Sequence, residues 1–310
     1  MPSQTMKRLE ELAARAFSEP MTGDLIRREL EAIAASDPSH PMPPLAQSII
    51  LGMGRKDVDE MKKFLGRAAQ LLAMRSGRAM GEDWQAMEIL HDALSAEVTL
   101  VEYRPVLDRP ARPEDAALRA QAGAKMREAL ARLEERAREG EDMALFRVLV
   151  AALRALSLAN APESDETQSG VAALERIWEL AEPASPLAAY FLIFAYRRAR
   201  KANEAVRVAS ALLGRHPRGI IPKLVLASTY AATRDYLKAE SLVREVSALL
   251  PEDPWLSLGR AVLLRRANRM DEARALLGRV RVRPQQDRLK ALVDMENRLI
   301  RLRVGIAPPR

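Results

Sequence analysis

Three histidines, no cysteine and a scatter of paired acids are all that this 310-residue chain offers toward chemistry. His40, His91 and His216 each lack a second histidine or a cysteine within five residues, so none stands at metal-ligand spacing. Asp92 follows His91, but adjacent residues on a helix do not share a face, so the two do not read as a dyad. His216-Pro217 reads as a helix terminus, where a histidine meets the last carbonyls. Gly52-Met53-Gly54-Arg55-Lys56 lacks the spacing of a phosphate loop and follows no strand, so it reads as a helix break. The acidic pairs Glu10-Glu11, Glu134-Glu135 and Asp271-Glu272 lie beside arginines on helical sequence, which is the pattern of a solvated face. Without cysteine, disulfides, thiolate catalysis and cysteine-bound zinc are excluded. The expectation is no catalytic residue, no metal and no cofactor.

The scaffold is legible in composition. Apolar residues make up 48% and charged residues 29%, a folded balance, while aromatics are only 4%. Alanine, leucine, arginine and glutamate recur, which favours helices packed through small side chains over a β-sandwich. Met1 to Phe17 shows an amphipathic helical pattern broken by charges rather than an apolar export core. The longest apolar candidate, Ala144 to Ala159, is interrupted by Arg147 and Arg154, so no membrane span is expected. The expected protein is soluble and cytoplasmic.

A fixed period organises the second half. Ala205, Ala239 and Ala273 are separated by 239 − 205 = 34 and 273 − 239 = 34 residues. Tyr196, Tyr230 and Leu264 lie nine residues before them; Leu192, Leu226 and Arg260 lie thirteen before, the last breaking an apolar pattern. Pro217 and Pro251 are again 34 apart, and Pro284 falls one residue short. Each unit reads as helix, tight turn and helix. The alanine marks where the second helix presses closest to the first, and the proline ends the unit. This pattern resembles the tetratricopeptide repeat (TPR), whose period is 34. The resemblance covers Pro186 to about Pro284 and implies an all-α α-solenoid of TPR-type repeats with an irregular helical N-terminal half. One departure is that Arg200, Arg234 and Asn268 stand where the repeat has a turn glycine, so those turns are expected to be irregular.

Around this core the expected organisation is an irregular helical region over 1–140, continuing the solenoid or forming a separate bundle. TPR-like repeats over 141–285 follow, as a degenerate unit 141–185 and regular units 186–219, 220–253 and 254–285. A capping helix 286–304 and a disordered tail 305–310 close the chain. Helices are expected over Gln4–Ser18, Asp24–Ala35, Pro44–Met53, Asp57–Ser76, Glu82–Ser95 and Pro113–Arg138, with Asp57 as a cap and Gly77 as a stop. Glu97 to Leu107 reads as an extended connector because Pro105 would disrupt a strand. Ala161 to Ser169 reads as a polar loop before a helix over Val171 to Ala181. The capping helix is apolar at Leu289, Leu292, Val293, Ile300 and Leu302.

In TPR arrays the first helices of successive units line a concave groove. By that resemblance the groove positions are Tyr190, Phe194, Arg197 and Arg198 in the first unit and Leu224, Ser228 and Ala231 in the second. The third contributes Leu258, Val262, Arg265 and Arg266, with Trp255 at its entrance. Apolar anchors beside arginines suit a protein segment that is both hydrophobic and acidic. The alternative is that the aromatics pack between units and the arginines are solvated. Tyr190 and Phe194 occupy places where some TPR domains carry the Lys and Asn that clamp a chain-terminal carboxylate, which argues against that ligand. From Pro251 to Arg310 there are 14 Lys plus Arg and 7 Asp plus Glu, so the chain's net +7 resides there. The expected function is a non-enzymatic scaffold or adaptor for a partner protein. A regulator that meets nucleic acid or another polyanion through the basic end is the second reading, and a catalytic helical N-terminal domain is the third.

Overall fold

The computed structural model describes residues 4–54, 58–75, 82–102, 113–139, 144–157, 161–180, 185–282 and 287–302. They form helices and no strand. In chain order these are α1 Gln4–Ser18, α2 Gly23–Ser36, α3 Met42–Gly54, α4 Val58–Arg75 and α5 Glu82–Glu102. Next come α6 Pro113–Glu139, α7 Ala144–Leu156, α8 Asp165–Leu180, α9 Pro186–Arg198 and α10 Ala202–Arg215. The last are α11 Ile220–Ala232, α12 Tyr236–Leu249, α13 Pro254–Arg266, α14 Met270–Leu277 and α15 Asp287–Arg301. Consecutive helices from α2 to α9, and again from α10 to α15, pack on one another, as in an all-α helical-repeat solenoid. The chain divides into two compact units, one of Met1–Ala16 with Met21–Ala199, the other of Phe17–Pro20 with Arg200–Arg310.

In the first unit α3 pairs with α4, α5 with α6 and α7 with α8, and α9 lies on both α7 and α8. The α7 and α8 backbones approach closely: a Cβ at Gly170 would lie 2.6 Å from the Ala155 amide nitrogen. Two sequence expectations change in this unit. Glu97 to Glu102 is the last part of α5, not a connector. Among the described residues the segment has no strand partner, and Ala96 and Val98 gain burial on the helix. Asp165 to Ser169 is the first turn of α8 instead of loop. Ser164 Oγ accepts the Thr167 amide proton, and Asp165 and Glu166 complement the positive end of the helix. Residues 103–107, Asp57, Gly77, Pro284 and the 305–310 tail lie outside the described residues.

The second unit shows how the 34-residue period becomes packing. Ala205, Ala239 and Ala273 are all completely buried. Ile220 and Ala227 of α11, Tyr236, Ala239 and Val243 of α12 and Leu256 and Leu263 of α13 make one core. The other side of α13, through Leu258, Ala261 and Leu264, joins Ala273 and Leu277 of α14 and Leu289, Val293 and Ile300 of α15 in the next. Helix α13 therefore has no solvated side wide enough for ordinary amphipathic patterning. Helix α15 packs on both α13 and α14. Leu302, just past its last residue, is exposed rather than part of the core stripe.

The turns lacking glycine are regular, contrary to expectation. After α11, the Asp235 amide donates to the Tyr230 carbonyl at 2.9 Å and the Arg234 amide to that of Ala231 at 3.2 Å. After α13, Arg269 donates to Leu264 and Asn268 to Arg265, each at 2.9 Å. Both are Schellman closures, which place one residue in the left-handed region. Arg234 has φ 66° and Asn268 φ 65°, and Arg200 matches them at φ 59°. The hydrogen bonds hold the geometry against a steric cost that glycine would not carry. Arg234→Gly is expected to stabilise the protein by about 0.5–1 kcal/mol after the entropy of the freer unfolded chain is deducted. Urea denaturation of that variant checks the sign.

Candidate functional site

Helix α9 starts on Ser185, whose Oγ accepts the Ala188 amide proton at 3.3 Å, with Pro186 in the first turn. Most of the helix is buried, including Phe191, Leu192, Ile193, Ala195 and Tyr196. Tyr190, Phe194 and Arg197 are half-buried and follow one another at helical spacing on one face. The Tyr190 and Phe194 rings lie 5.0 Å apart at 57°, and the Arg197 guanidinium lies 5.1 Å over the Phe194 ring. Burial pushes the Tyr190 phenol above its ordinary range, while nearby Arg197 draws it back. Burial lowers the Arg197 guanidinium, which Tyr190 partly offsets, and an arginine so placed still remains cationic at neutral pH. The result is an aromatic step ending in a fixed cation.

Arg198, next in sequence, does different work. Its Nη1 donates to the Ser157 carbonyl at 2.5 Å, at the end of α7. A cation there satisfies an orphan carbonyl and complements the helix dipole. Tyr196 donates a short hydrogen bond to Glu175 of α8. These contacts tie α9 to the preceding helix pair, so its exposed edge is held by a rigid base.

In the second unit, α11 presents Leu224, Ser228 and Ala231 half-buried, with Ser228 Oγ donating to the Val225 carbonyl at 2.9 Å. Asp253 caps α13 by accepting the Trp255 and Leu256 amides at 2.8 and 3.3 Å, which fixes Trp255 at the helix entrance and exposed. Val262 is half-buried beside the C-terminal core, and Leu258 is inside that core. Arg266 is exposed, with its guanidinium 6.0 Å over the Tyr236 ring. Arg265 is buried: Nε donates to Glu296 Oε2 at 2.5 Å and Nη2 to Oε1 at 3.0 Å. That guanidinium is committed to α15.

A second internal pair explains the break in the apolar pattern at Arg260. Its Nε and Nη2 donate to Glu240 Oε1 at 2.9 and 2.8 Å, and Glu240 is only 5% exposed. Neither pair was read from the sequence. A signal existed for one of them, because Glu296 falls on the same helical stripe as Leu289, Val293 and Ile300.

The three histidines occupy separate places in the fold. His40 Nδ1 accepts the Met42 amide proton at 3.2 Å, and His216 ends α10. His91 and Asp92 meet at 3.5 Å on the surface of α5, the far limit of a hydrogen bond. Among the described residues no cluster of His, Asp or Glu could hold a metal ion, and no helix is long and apolar enough to cross a membrane. Residues 230–295, from the end of α11 into α15, match the family model described as tetratricopeptide repeat. No curated protein and no solved structure matches the chain.

Proposed function

The chain is a helical-repeat protein of the tetratricopeptide type, and from that premise we propose that it is a non-enzymatic adaptor. It holds partner-protein segments on the first helices of its repeat units, with the face in each compact unit taken by itself. The observation that carries the reading is the Tyr190–Phe194–Arg197 step, whose apolar rings and fixed cation stay half-exposed on a mostly buried helix. In the second unit the binding residues are Leu224, Ser228, Trp255, Val262 and Arg266. Arg198, Leu258 and Arg265 are engaged within the protein and hold these helices in place. The partner segment combines apolar side chains with carboxylates, because aromatic rings and arginine together recognise that mixture. The cysteine-free sequence suits a reducing compartment, so the adaptor is assigned to the cytoplasm.

The test is quantitative capture from the native cell with the full chain and with Phe194→Glu combined with Arg197→Glu. Partner recovery is expected to fall at least about tenfold, the effect of removing a desolvated anchor. Far-ultraviolet circular dichroism should be unchanged. Full recovery of the same partners by a folded double variant would remove α9 from the binding surface.

A further inference from the structure

The three left-handed turn positions carry a second message. Arg200, Arg234 and Asn268 all adopt φ near 60° and all are exposed. Asparagine tolerates that region through its short polar side chain, but arginine has no such compensation. A strained residue is a reason to ask what its side chain does. Among the described residues no carboxylate lies within ion-pairing distance of the Arg200 or Arg234 guanidinium. Their side chains therefore do not repay the strain inside the fold.

Topology gathers these cations at one end of the second unit. Helices α10 and α11 are joined by four residues and pack side by side, so the start of α10 lies level with the end of α11. Arg200 stands at the first of these places and Arg234 at the second. The same relation holds for α12 and α13, where Arg266 reaches the Tyr236 ring. Acids at this end are largely occupied. Asp235 binds the Lys238 ammonium at 2.7 Å, and Glu272 binds Arg269 at 2.5 Å. Packed helices sit roughly 8–10 Å apart, so neighbouring turns present their guanidiniums within reach of one extended acidic segment.

We infer that this turn edge of the second unit is a docking surface for an acidic segment of a protein, separate from the first-helix faces. Carboxylates interspersed with the arginines oppose a continuous phosphate backbone. Tyr236 is buried, so it offers no platform for base stacking. Discrete carboxylates on a partner instead meet Arg200 and Arg234 as charge-assisted hydrogen bonds.

Fluorescence anisotropy of the full chain with a labelled Glu-Ala repeat peptide at low salt tests this. Arg200→Gly with Arg234→Gly is expected to weaken binding about fivefold, the sum of two exposed ion pairs. The same variant should raise Tm by roughly 2–4 °C or more, because glycine relieves both turns. Arg279→Ala with Arg281→Ala removes equal charge from exposed residues elsewhere and should change affinity less than about twofold. Weaker binding joined to higher stability is the signature of arginines kept for an external ligand. Equal loss in both variants, or no loss in either, would overturn the inference. So would a fall in Tm, which would mean the arginines serve the fold, or tighter wild-type binding of a labelled oligothymidine than of the peptide. The first-helix faces are read by partner capture and this edge by peptide anisotropy, with different variants, so the two readings fail or stand separately.

Discussion

Glu296→Ala is expected to cost the protein about 3–5 kcal/mol of stability, because it leaves the Arg265 guanidinium buried without its counter-ion. Both side chains are under a tenth exposed, and the pair is bidentate at 2.5 and 3.0 Å. The loss should appear as a lower urea midpoint for the transition that reports α13 to α15. The pair is a device for registering α15 on α13 and not a large net source of stability. Desolvating two ions consumes most of what their attraction returns. Arg265→Met combined with Glu296→Leu should therefore recover most of the loss, and by the same reasoning could match the wild type. If the double variant is as unstable as Glu296→Ala alone, the helices are held by something other than this pair.

Gly170 carries the second large effect. A Cβ there would stand 2.6 Å from the Ala155 amide nitrogen and 2.9 Å from the Ala151 carbonyl oxygen, both main-chain atoms. Side chains can rotate away from a clash, but two helix backbones must separate. Gly170→Ala gains up to about 1 kcal/mol of helix propensity, yet the net expectation is a loss of roughly 1–3 kcal/mol from overpacking. Gly170→Leu should lose more and expose the α7–α8 contact to proteolysis. The order wild type, Ala, Leu in denaturant midpoint is the result to look for. An alanine variant as stable as the wild type would mean that α7 and α8 do not approach at this point as described.

How much of this could be read from the chain depends on whether an interaction repeats. Ala205, Ala239 and Ala273 recur at 34 residues because the same backbone approach recurs, and all three are fully buried. The missing turn glycine predicts irregular turns, but main-chain closure makes them regular despite arginine. Local polarity misread the start of α8, since Asp165 to Ser169 looks like loop when its solvated first turn is taken residue by residue. Glu97 to Glu102 misled in the opposite direction, its β-branched residues overridden by burial along α5. The Arg260–Glu240 and Arg265–Glu296 pairs join different helices at separations that no period predicts. Among the groove positions that the repeat resemblance implies, Tyr190, Phe194 and Arg197 meet one another on α9. The resemblance could not tell that neighbouring Arg198 would turn to the Ser157 carbonyl. A guanidinium on a flexible stem finds its partner only once the fold has brought that partner near.

The claim that the first helices carry a partner protein is tested most directly by site-specific photo-crosslinking in the native cell. A photoreactive phenylalanine analogue would replace Ser228 on α11, or, as the control, exposed Arg244 on the second helix α12. The account predicts a discrete crosslinked partner from position 228 and little or none from position 244. Crosslinking from 244 alone, or equally from both with the same partner, would contradict it.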